Sequence, residues 1–470
     1  GNPLSINLNQ ENFASGKGNQ TGSTYAKAIL TANNKTNTAT EHYYLYLNIS
    51  NNTFTYSIDN NTPEILLSIK DGSNNEITAL TGLTYKTVTD GKGASIKGFD
   101  ITNKKGLITI LNNREITTTS TKTEEWNVTV TFVNYNSNQA GNAGKSFNAK
   151  LMIQKEEYKL PTLAEYVVSQ YTGTQGDNGI YYHNSSLANG AGDNSYRYAG
   201  ASESVNNFIC FGSTTSPCPT DNLYRIIGVF GENNHGVTGK QLVKLIKYDY
   251  ATSNLLGTDG DYKGSVTSDS GFYEGSLTSI DTYSWNYKAT NKSSDTWSTS
   301  LLNKINLNTN YLNNIGTTWS NLIEDATWKV SGHSTSAVTP SEMYTAEITN
   351  ATKTYGPSDG TSKIGLMYVS DYGFAASPSA WTETLANYDG NDANGTLIKT
   401  INWMYMGNYE WTISPYSSNS FSVFTLNDRG DVNNFAAGAD YGSRPVLYLK
   451  ASVLYAGGLG TKDSPITLVV

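Results

Sequence analysis

Residues 402–450 read NWMYMGNYEWTISPYSSNSFSVFTLNDRGDVNNFAAGADYGSRPVLYLK, and this stretch decides the fold of the second half of the chain. Apolar and aromatic residues lie at both of its ends, whereas its interior is rich in Asn, Ser, Asp and Tyr. Two short strand-like runs flank a turn at 427–430. The pattern predicts a rigid scaffold that holds a polar hairpin in solvent, because binding residues commonly lie on loops carried by rigid elements.

The polar interior of this stretch provides the candidate ligand-binding residues. Tyrosine offers a large contact area at low entropic cost, and Asn and Ser form adaptable hydrogen bonds. An ordinary polar loop between two core strands is the alternative interpretation of this composition. The predicted ligand-binding residues are Tyr416, Ser417, Ser418, Asn419, Ser420, Ser422, Asn427, Asp431, Asn433, Asn434, Phe435, Asp440 and Tyr441.

The order of motifs in this half of the chain resembles a known family. The motifs EWTIS at 410–414, YGSRPV at 441–446 and GGLGT at 457–461 are similar to the C-terminal part of C-type-lectin-like domains related to the formylglycine-generating enzyme. More narrowly, they resemble surface proteins of gut Firmicutes and variable proteins of diversity-generating retroelements. With FICFG at 208–212, the resemblance extends from about residue 206 to 470. It implies an α+β C-type-lectin-like domain whose WTIS and GSRPV segments form the ligand-facing surface.

The resemblance to retroelement variable proteins also predicts sequence diversification. Changing the adenines of an AAY codon yields Asn, Ser, Asp, Tyr, Ala or Gly, and these types are frequent among the predicted ligand-binding residues. They are frequent throughout the chain as well, so the composition is compatible with diversification without requiring it.

Residues 1–157 are predicted to form a first, all-β domain. Trp126, Val128, Val130 and Phe132 alternate with polar residues, which places one face of that strand on a core. Several runs of strand length are rich in β-branched and aromatic residues and are separated by Asn, Gly and Asp. The predicted strands lie at 43–50, 65–69, 107–111, 126–133 and 147–153. This number of strands predicts a β-sandwich.

The end of this first domain, at 126–150, resembles the final strands of TasA/camelysin-type jelly-roll domains in Firmicutes surface and biofilm-fibre proteins. The resemblance implies a first strand at 3–8. In filament-forming relatives such a strand pairs with the next subunit by β-augmentation. Pairing within its own domain is the alternative, and we favour it.

The charged run KEEYKLP at 155–161 is predicted to be a linker to a second domain at 158–470. Periodicity in the second domain predicts helices at 162–170, 298–315 and 340–348, a hairpin of strands 223–230 and 240–248, and a buried strand at 364–370. The predicted fold class is mainly β with two domains: an N-terminal jelly-roll-like β-sandwich and a C-terminal α+β C-type-lectin-like domain.

Cys210 and Cys218 are the only cysteines, and a short Gly/Ser/Thr/Pro loop separates them. We expect a disulfide, which stabilises the fold by roughly 2–3 kcal/mol and indicates an oxidising exterior. A zinc site would need two further ligands, whereas the four histidines are scattered singly.

The charge balance excludes two classes of partner. Charged residues make up 15% of the chain and the net charge is −8, with no basic cluster. Nucleic acids and anionic membranes both require a basic surface, so we expect neither as a partner. No run of 18 apolar residues occurs, and a chain that begins Gly1-Asn2-Pro3 is interpreted as a mature form. We therefore expect an extracellular protein at a bacterial cell surface without direct membrane insertion.

Catalytic and cofactor-binding motifs are absent from the sequence. It has no nucleophile elbow, zinc-protease motif, phosphate loop or dinucleotide fingerprint. The formylglycine-generating relatives use reactive cysteines in the C-terminal half of the domain, and none follows Cys218 here. The segment DGNDANG at 389–395 has oxygen ligands suited to calcium, but loop chemistry is the favoured interpretation, and TDGD at 258–261 is weaker. We expect no enzyme, no cofactor and no metal.

Two functions follow from these observations. The first is an extracellular binding protein of adhesin or receptor type, whose ligand is a protein or a glycan. The alternative is a structural subunit of a surface fibre or pilus, forming a homopolymer through the N-terminal domain. Trp381, Trp403 and Trp411 are either core residues or stacking platforms for sugars, and the core is favoured for Trp403 and Trp411.

Overall fold

The structure is a computed structural model that describes residues 2–7, 17–33, 37–259, 273–277, 280–286, 295–351, 361–390 and 396–470. The fold is mainly β and contains several antiparallel sheets, as the sequence predicts. The chain divides into two compact units. Unit 1 comprises Gly1–Leu160 and Ala456–Leu459, and unit 2 comprises Pro161–Tyr455 and Gly460–Val470.

Unit 1 contains two sheets that share one apolar core. Its strands are β1 (Asn2–Asn7), β2 (Gln20–Thr31), β3 (Ala39–Asn52), β4 (Ile65–Asp71), β5 (Tyr85–Thr89), β6 (Ser95–Asp100), β7 (Gly106–Thr118), β8 (Thr121–Phe132) and β9 (Ser146–Gln154). One sheet has the order β1-β9-β3-β7 and the other β2-β8-β4-β6-β5. The predicted alternation in β8 is confirmed, because Trp126, Val128, Val130 and Phe132 are all buried in that core.

The first strand pairs within its own unit. β1 runs antiparallel to β9, from Asn2 opposite Leu151 to Asn7 opposite Ser146. Leu4 and Ile6 of β1 are buried in the core of unit 1. The favoured alternative, pairing inside the domain, is therefore the arrangement of β1 in this chain.

Unit 2 is built on an antiparallel sheet with the order β10-β11-β13-β14-β21-β17, and β12 pairs with β13 beside it. The strands of this sheet are β10 (Ile180–Tyr182), β11 (Tyr196–Tyr198), β12 (Phe208–Cys210), β13 (Leu223–Phe230), β14 (Leu242–Lys247), β17 (Ile364–Gly365) and β21 (Val446–Tyr448). Every residue of β13 and β14 is buried, so the predicted hairpin is confirmed as the centre of the sheet.

The described residues contain further, smaller β elements. β15 (Tyr273–Leu277) pairs with β16 (Ile280–Tyr283). The sheet that carries the predicted ligand surface consists of β18 (Glu410–Pro415), β19 (Ser422–Leu426) and β20 (Val432–Ala436). The short strands near the C-terminus are β22 (Tyr455–Gly457) and β23 (Thr467–Leu468).

The predicted helices are present, with π-helical turns in two of them. The α-helices are α1 (Leu163–Ser169), α2 (Glu232–His235), α3 (Ser253–Leu256), α4 (Leu312–Ile315), α5 (Thr317–Ser320), α6 (Pro340–Tyr344), α7 (Val369–Ala375) and α8 (Thr396–Lys399). The run predicted at 298–315 is π-helical over Leu302–Tyr311 before α4, and α6 continues as the π-helical segment Thr345–Thr349. No helix in the described parts of the chain is long and apolar enough to cross a membrane.

The predicted strand at 364–370 is wrong beyond Gly365. The Asp371 side chain accepts a hydrogen bond from the backbone N–H of Tyr368 at 3.0 Å, and the Glu347 side chain accepts from that of Val369 at 2.8 Å. Side-chain acceptors for these amides start a helix instead, because the first N–H groups of a helix have no partner within it. α7 therefore begins at Val369.

The predicted disulfide is confirmed. Cys210, at the end of β12, is bonded to Cys218 with an S–S distance of 2.02 Å. The bridge closes the short loop that precedes β13, the central strand of unit 2. Such a bond forms and persists in an oxidising environment.

Candidate ligand-binding surface

A buried ion pair joins the two ends of the predicted ligand surface. Arg444 Nε donates to Glu410 Oε1 at 2.6 Å, and Arg444 Nη2 donates to Glu410 Oε2 at 3.1 Å. Arg444 Nη2 also donates to the carbonyl oxygen of Met404 at 2.7 Å. All three residues are buried, and the bidentate geometry restricts how β18 and the segment before β21 can move.

The tryptophans of this region are core residues. The indole N–H of Trp411 donates to the carbonyl oxygen of Tyr283 at 2.7 Å, and that of Trp403 donates to the carbonyl oxygen of Tyr198 at 2.9 Å. Both residues are buried, as predicted, and Trp381 is buried too. None of the three is exposed as a platform for a sugar, since water cannot reach their rings.

Three other aromatic residues form a half-buried cluster, which we call the aromatic face: Tyr409, Phe435 and Tyr441. The Tyr409 and Tyr441 rings stack with centroids 5.2 Å apart, and Phe435 meets the Tyr441 ring edge-on at 5.4 Å. Tyr441 rests on the buried Trp411, 4.9 Å away, and its backbone pairs with that of Tyr283. Partial burial raises the pKa of Tyr441 to about 12, so its hydroxyl is a neutral donor. The aromatic face is thus partly exposed on a rigid base.

Residues 416–421 form an exposed loop between β18 and β19, which we call the display loop. Ser417, Ser418, Ser420 and Phe421 are exposed, and Phe421 is 47% accessible. Asn419 Oδ1 accepts hydrogen bonds from the backbone N–H groups that follow it, at 3.0 and 2.7 Å. This local bonding shapes the turn, and Ser417 and Ser420 beside it remain exposed.

The display loop is tethered at its start. The backbone N–H of Ser417 donates to the carbonyl oxygen of His333 at 3.1 Å, and Ser418 Oγ donates to that of Ser334 at 3.0 Å. Tyr416 is half-buried against Phe424, with ring centroids 5.6 Å apart. The loop is therefore held against a segment more than eighty residues earlier in the chain.

The β20 side of the hairpin contributes further predicted residues. Asn433 and Asp440 are exposed, and Asn434 is half-buried. Asn433 and Asn434 precede Phe435 in the chain, and Asp440 precedes Tyr441. Short polar side chains therefore lie next to the aromatic face, as in many recognition surfaces.

Three predicted ligand-binding residues are corrected, because the structure buries them. Ser422 lies in β19 and is 4% exposed, while Asn427 and Asp431 are 5% and 8% exposed. Asn427 Nδ2 donates to Asp431 Oδ2 at 2.7 Å, and the backbone N–H of Asn427 donates to the carbonyl oxygen of Asp431 at 2.9 Å. Burial, and then nearby Asp389, raise the pKa of the Asp431 carboxyl. Asn427 and Asp431 build the predicted turn and cannot reach a ligand.

A cleft of about 630 Å³ opens beside the display loop and was not anticipated from the sequence. Its lining consists mostly of small polar side chains, at 331–334, Glu342, Thr345, Ala346, Asn350 and Ser417. His333 Nδ1 accepts a hydrogen bond from the backbone N–H of Thr335 at 3.2 Å, which orients the ring. The one sequence signal in this part of the cleft lining is the spacing of Thr339 and Glu342, which is typical of a helix-capping motif.

A buried carboxyl group follows Ala346, a residue of the cleft lining, in the chain. Glu347, in the π-helical segment, accepts hydrogen bonds from the backbone N–H groups of Val369 and Ser370, at 2.8 and 3.1 Å, and from Ser414 Oγ. Burial raises the pKa of Glu347 to about 7, because removal from water disfavours its charged form. The group connects the cleft wall to α7 and to β18, two residues before the display loop.

Other charged side chains are paired within the core of unit 2. Lys244 Nζ donates to Asp371 Oδ2 at 2.6 Å, and Arg197 Nη2 donates to Asp193 Oδ2 at 2.9 Å. Tyr344 donates its hydroxyl to the same Asp193 oxygen at 2.8 Å. These groups pair with one another away from solvent, although Arg197 Nη1 approaches Asp371 only to 3.6 Å and has no hydrogen-bond partner. Such pairing within the core is typical of a structural network.

The candidate calcium segments lie mostly outside the described residues. Of 389–395 the structure describes only Asp389 and Gly390, and of 258–261 only Thr258 and Asp259. Within the described ranges, no three His, Cys, Asp or Glu side chains are grouped as metal ligands would be. Loop chemistry, the favoured interpretation of these segments, therefore stays a prediction.

Comparison with known proteins leaves the chain without an assigned relative: no protein-family model matches it, and no curated protein matches it in sequence.

Proposed function

We propose that this protein is an extracellular recognition protein of a bacterial cell surface, which binds a protein or glycan ligand through the aromatic face and the display loop. In this proposal unit 2 is a C-type-lectin-like domain and unit 1 a TasA/camelysin-like jelly roll, as the sequence resemblances imply. The observation that carries it is the aromatic face itself: Tyr409, Phe435 and Tyr441 pack on one another and remain partly exposed. Tyr441 packs on the buried Trp411 and so anchors the cluster.

Such an arrangement supports binding for an energetic reason. Aromatic side chains that are already ordered lose little conformational entropy when a ligand covers them, so most of the buried area contributes to affinity. Hot-spot residues of interfaces are enriched in tyrosine and lie within a polar rim. Here Asn433, Asp440 and the hydroxyl groups of the display loop supply that rim.

A binding assay with a matched control tests this function. We expect the full-length chain to bind at least one member of a panel of mucin, fibronectin, collagen and arrayed glycans. Phe435→Ala should weaken that binding by about tenfold or more, as loss of a hot-spot aromatic does. Tyr25→Ala, which removes an exposed ring from unit 1, should not. Equal binding by Phe435→Ala and the unaltered chain would refute the role of the aromatic face.

Diversification is a separate part of the proposal. The exposed positions Ser417, Ser418, Ser420, Asn433 and Asp440 carry residue types that adenine mutagenesis of AAY codons produces. The gene's surroundings test it. A template repeat that differs from this gene at adenines, next to a reverse transcriptase, would support diversification, and an isolated gene would remove it.

A fibre subunit is the second candidate, and the edge of unit 1 favours it. β2 is twelve residues long, contains no proline and one lysine, and exposes 67% of Ile29. Among the described residues it pairs with β8 on one side only. A groove of about 430 Å³ lies between Tyr25–Lys27 of β2 and 150–154 of β9, the strand that already accepts β1. A long edge strand with exposed Tyr25 and Ile29 and a single lysine is weakly protected, which suits a strand of a second copy of this chain.

Self-assembly can be tested directly on the full-length chain. If β2 is an assembly edge, concentrated protein should form filaments visible by electron microscopy, and Ile29→Lys should abolish them. Thr87→Lys, at an exposed position of the opposite edge strand β5, should leave them intact. Monodisperse monomers at high concentration would exclude this candidate.

A further inference from the structure

We propose that the cleft beside the display loop is a binding site for a short uncharged saccharide, held without a metal ion. The site is distinct from the aromatic face, and the inference rests on the proposed recognition function because Ser417 of the display loop forms part of its wall. Its volume of about 630 Å³ is within the range of small-molecule sites, roughly 300–1,000 Å³.

The chemistry of the lining favours a ligand with many hydroxyl groups. Ser334 and Ser417 provide exposed hydroxyl groups, which both donate and accept, and Asn350 adds an amide. The Thr345 hydroxyl already donates to the carbonyl oxygen of Ser341 at 3.0 Å and can still accept. Sugar hydroxyl groups also donate and accept, so they can match such a lining in several orientations. An apolar ligand would displace water from these groups without replacing its hydrogen bonds, which is unfavourable.

The charge of the lining discriminates against anions. Among the described lining residues Glu342 is the one carboxylate, and hydrogen bonds from Thr339 lower its pKa, so it is ionised at neutral pH. None of the described lining residues is Lys or Arg. A uronic or sialic acid would therefore meet a like charge, whereas the hydroxyl groups of a neutral sugar can donate to the carboxylate.

The walls of the cleft are already in place. Two hydrogen bonds join 417–418 to 333–334, and Gly332 lies so close that a Cβ atom there would be 2.2 Å from the carbonyl oxygen of Pro415. The opposite wall includes Thr345 and Ala346 of a π-helical segment, a rare conformation that occurs frequently at functional sites. A preformed site loses little affinity to ordering of the chain.

Saturation-transfer NMR on the full-length chain tests the proposal. The probes are the methyl glycosides of glucose, galactose, mannose and N-acetylglucosamine, with glucuronic acid as the anionic comparison. We expect transfer to at least one neutral glycoside and none to glucuronic acid, both in buffer containing EDTA. Absence of transfer to every neutral glycoside, transfer to glucuronic acid alone, or loss of transfer on chelation would overturn the inference.

Three variants locate the binding. Ala346→Trp fills the cleft and should abolish transfer, and Ser334→Trp, at an exposed position on the rim, provides the same test if Ala346→Trp does not fold. Glu342→Gln keeps a residue able to cap the helix and should weaken binding by about tenfold, the effect of losing one charge-assisted hydrogen bond. If a folded cleft-filling variant binds the sugar as well as the unaltered chain, the cleft is not the site.

Phe435→Ala separates this inference from the proposed function. Phe435 does not line the cleft. The substitution should therefore leave sugar binding unchanged and weaken binding of the macromolecular ligand. Suppose that the cleft-filling variants lose sugar binding, but Phe435→Ala binds the macromolecular ligand normally. This result would contradict the role of the aromatic face and would still support the cleft site. The reverse result would contradict the cleft site only.

Discussion

Arg444 and Glu410 are 34 residues apart in the sequence and form a bidentate ion pair, with N···O distances of 2.6 and 3.1 Å and both side chains 1% exposed. The pair connects the GSRP segment before β21 to the start of β18. One buried contact therefore holds both ends of the segment between these two positions. This segment includes the display loop and Tyr441.

Removing one partner of this ion pair should destabilise unit 2 strongly. Glu410→Gln leaves the charge of Arg444 buried without a counter-ion, and we expect a loss of about 3–5 kcal/mol in the free energy of unfolding. Urea denaturation followed by tryptophan fluorescence measures it, because of the eight tryptophans only Trp126 lies in unit 1.

An exposed ion pair provides the control for Glu410→Gln. Lys363 and Asp325 are 3.8 Å apart and Asp325 is 60% exposed, so Asp325→Asn should lose less than about 1 kcal/mol. If the two variants lose equal stability, the buried pair does not hold the segment.

Glu347 should make the stability of unit 2 depend on pH. Its pKa in the folded state is about 7, above the ordinary 4.5, so the fold binds its proton more tightly than the unfolded chain does. The stabilisation is complete below about pH 4.5 and is lost as the pH rises through about 7. Glu347→Gln mimics the protonated acid and should not lose this stabilisation. As the pH rises across this window, the free energy of unfolding of Glu347→Gln, relative to that of the unaltered chain, should therefore increase by about 1.4 kcal/mol per pH unit.

Urea titrations at pH 5, 6, 7 and 8 check this slope. The groups that face Glu347 are Ser370, Ser414 and Asp371, and Lys244 lies within electrostatic reach. Glu342→Gln is the control. The pKa of Glu342 is lowered, so this residue changes the pH dependence of stability only below this pH range. Parallel curves for Glu347→Gln and the unaltered chain would show that Glu347 does not bind its proton in the fold.

A methyl group at Gly332 should disturb the cleft and the display loop together. Because its Cβ would lie 2.2 Å from the Pro415 carbonyl oxygen, Gly332→Ala should cost about 1–3 kcal/mol of stability and weaken binding of a sugar in the cleft. Gly231→Ala is the matched control, since the nearest atom there is the side-chain Nε2 of Gln241 at 3.4 Å. Crystal structures of both variants would show whether 415–418 moves only in Gly332→Ala.

Reduction of the disulfide should destabilise unit 2 moderately. Cys210 and Cys218 are eight residues apart, and in the chain-entropy model closure of so short a loop contributes roughly 2–3 kcal/mol. A Cys210→Ser, Cys218→Ser double variant should therefore unfold at a lower urea concentration. An unchanged midpoint would mean that the loop is ordered by its own hydrogen bonds.

Local signals in the sequence predicted much of the fold. The alternation from Trp126 to Phe132, the apolar runs of β13 and β14 and the turn before Asp431 depend on residues near one another in the chain. The same holds for the helix predicted at 340–348 and for the short loop between the cysteines. In each case the free energy that selects the conformation is gained within a few residues or along one strand.

The sequence by itself thus determined a mainly β protein with a disulfide and a polar hairpin next to the GSRP segment. Only the tertiary structure decided which polar residues of that hairpin meet solvent: Asn433 and Asp440 do, whereas Asn427 and Asp431 are bonded to each other inside the turn. It also brought His333 and Glu342 beside Ser417 to form a cleft. Burial and concavity depend on contacts between segments far apart in the chain, and residue type and spacing do not encode those contacts.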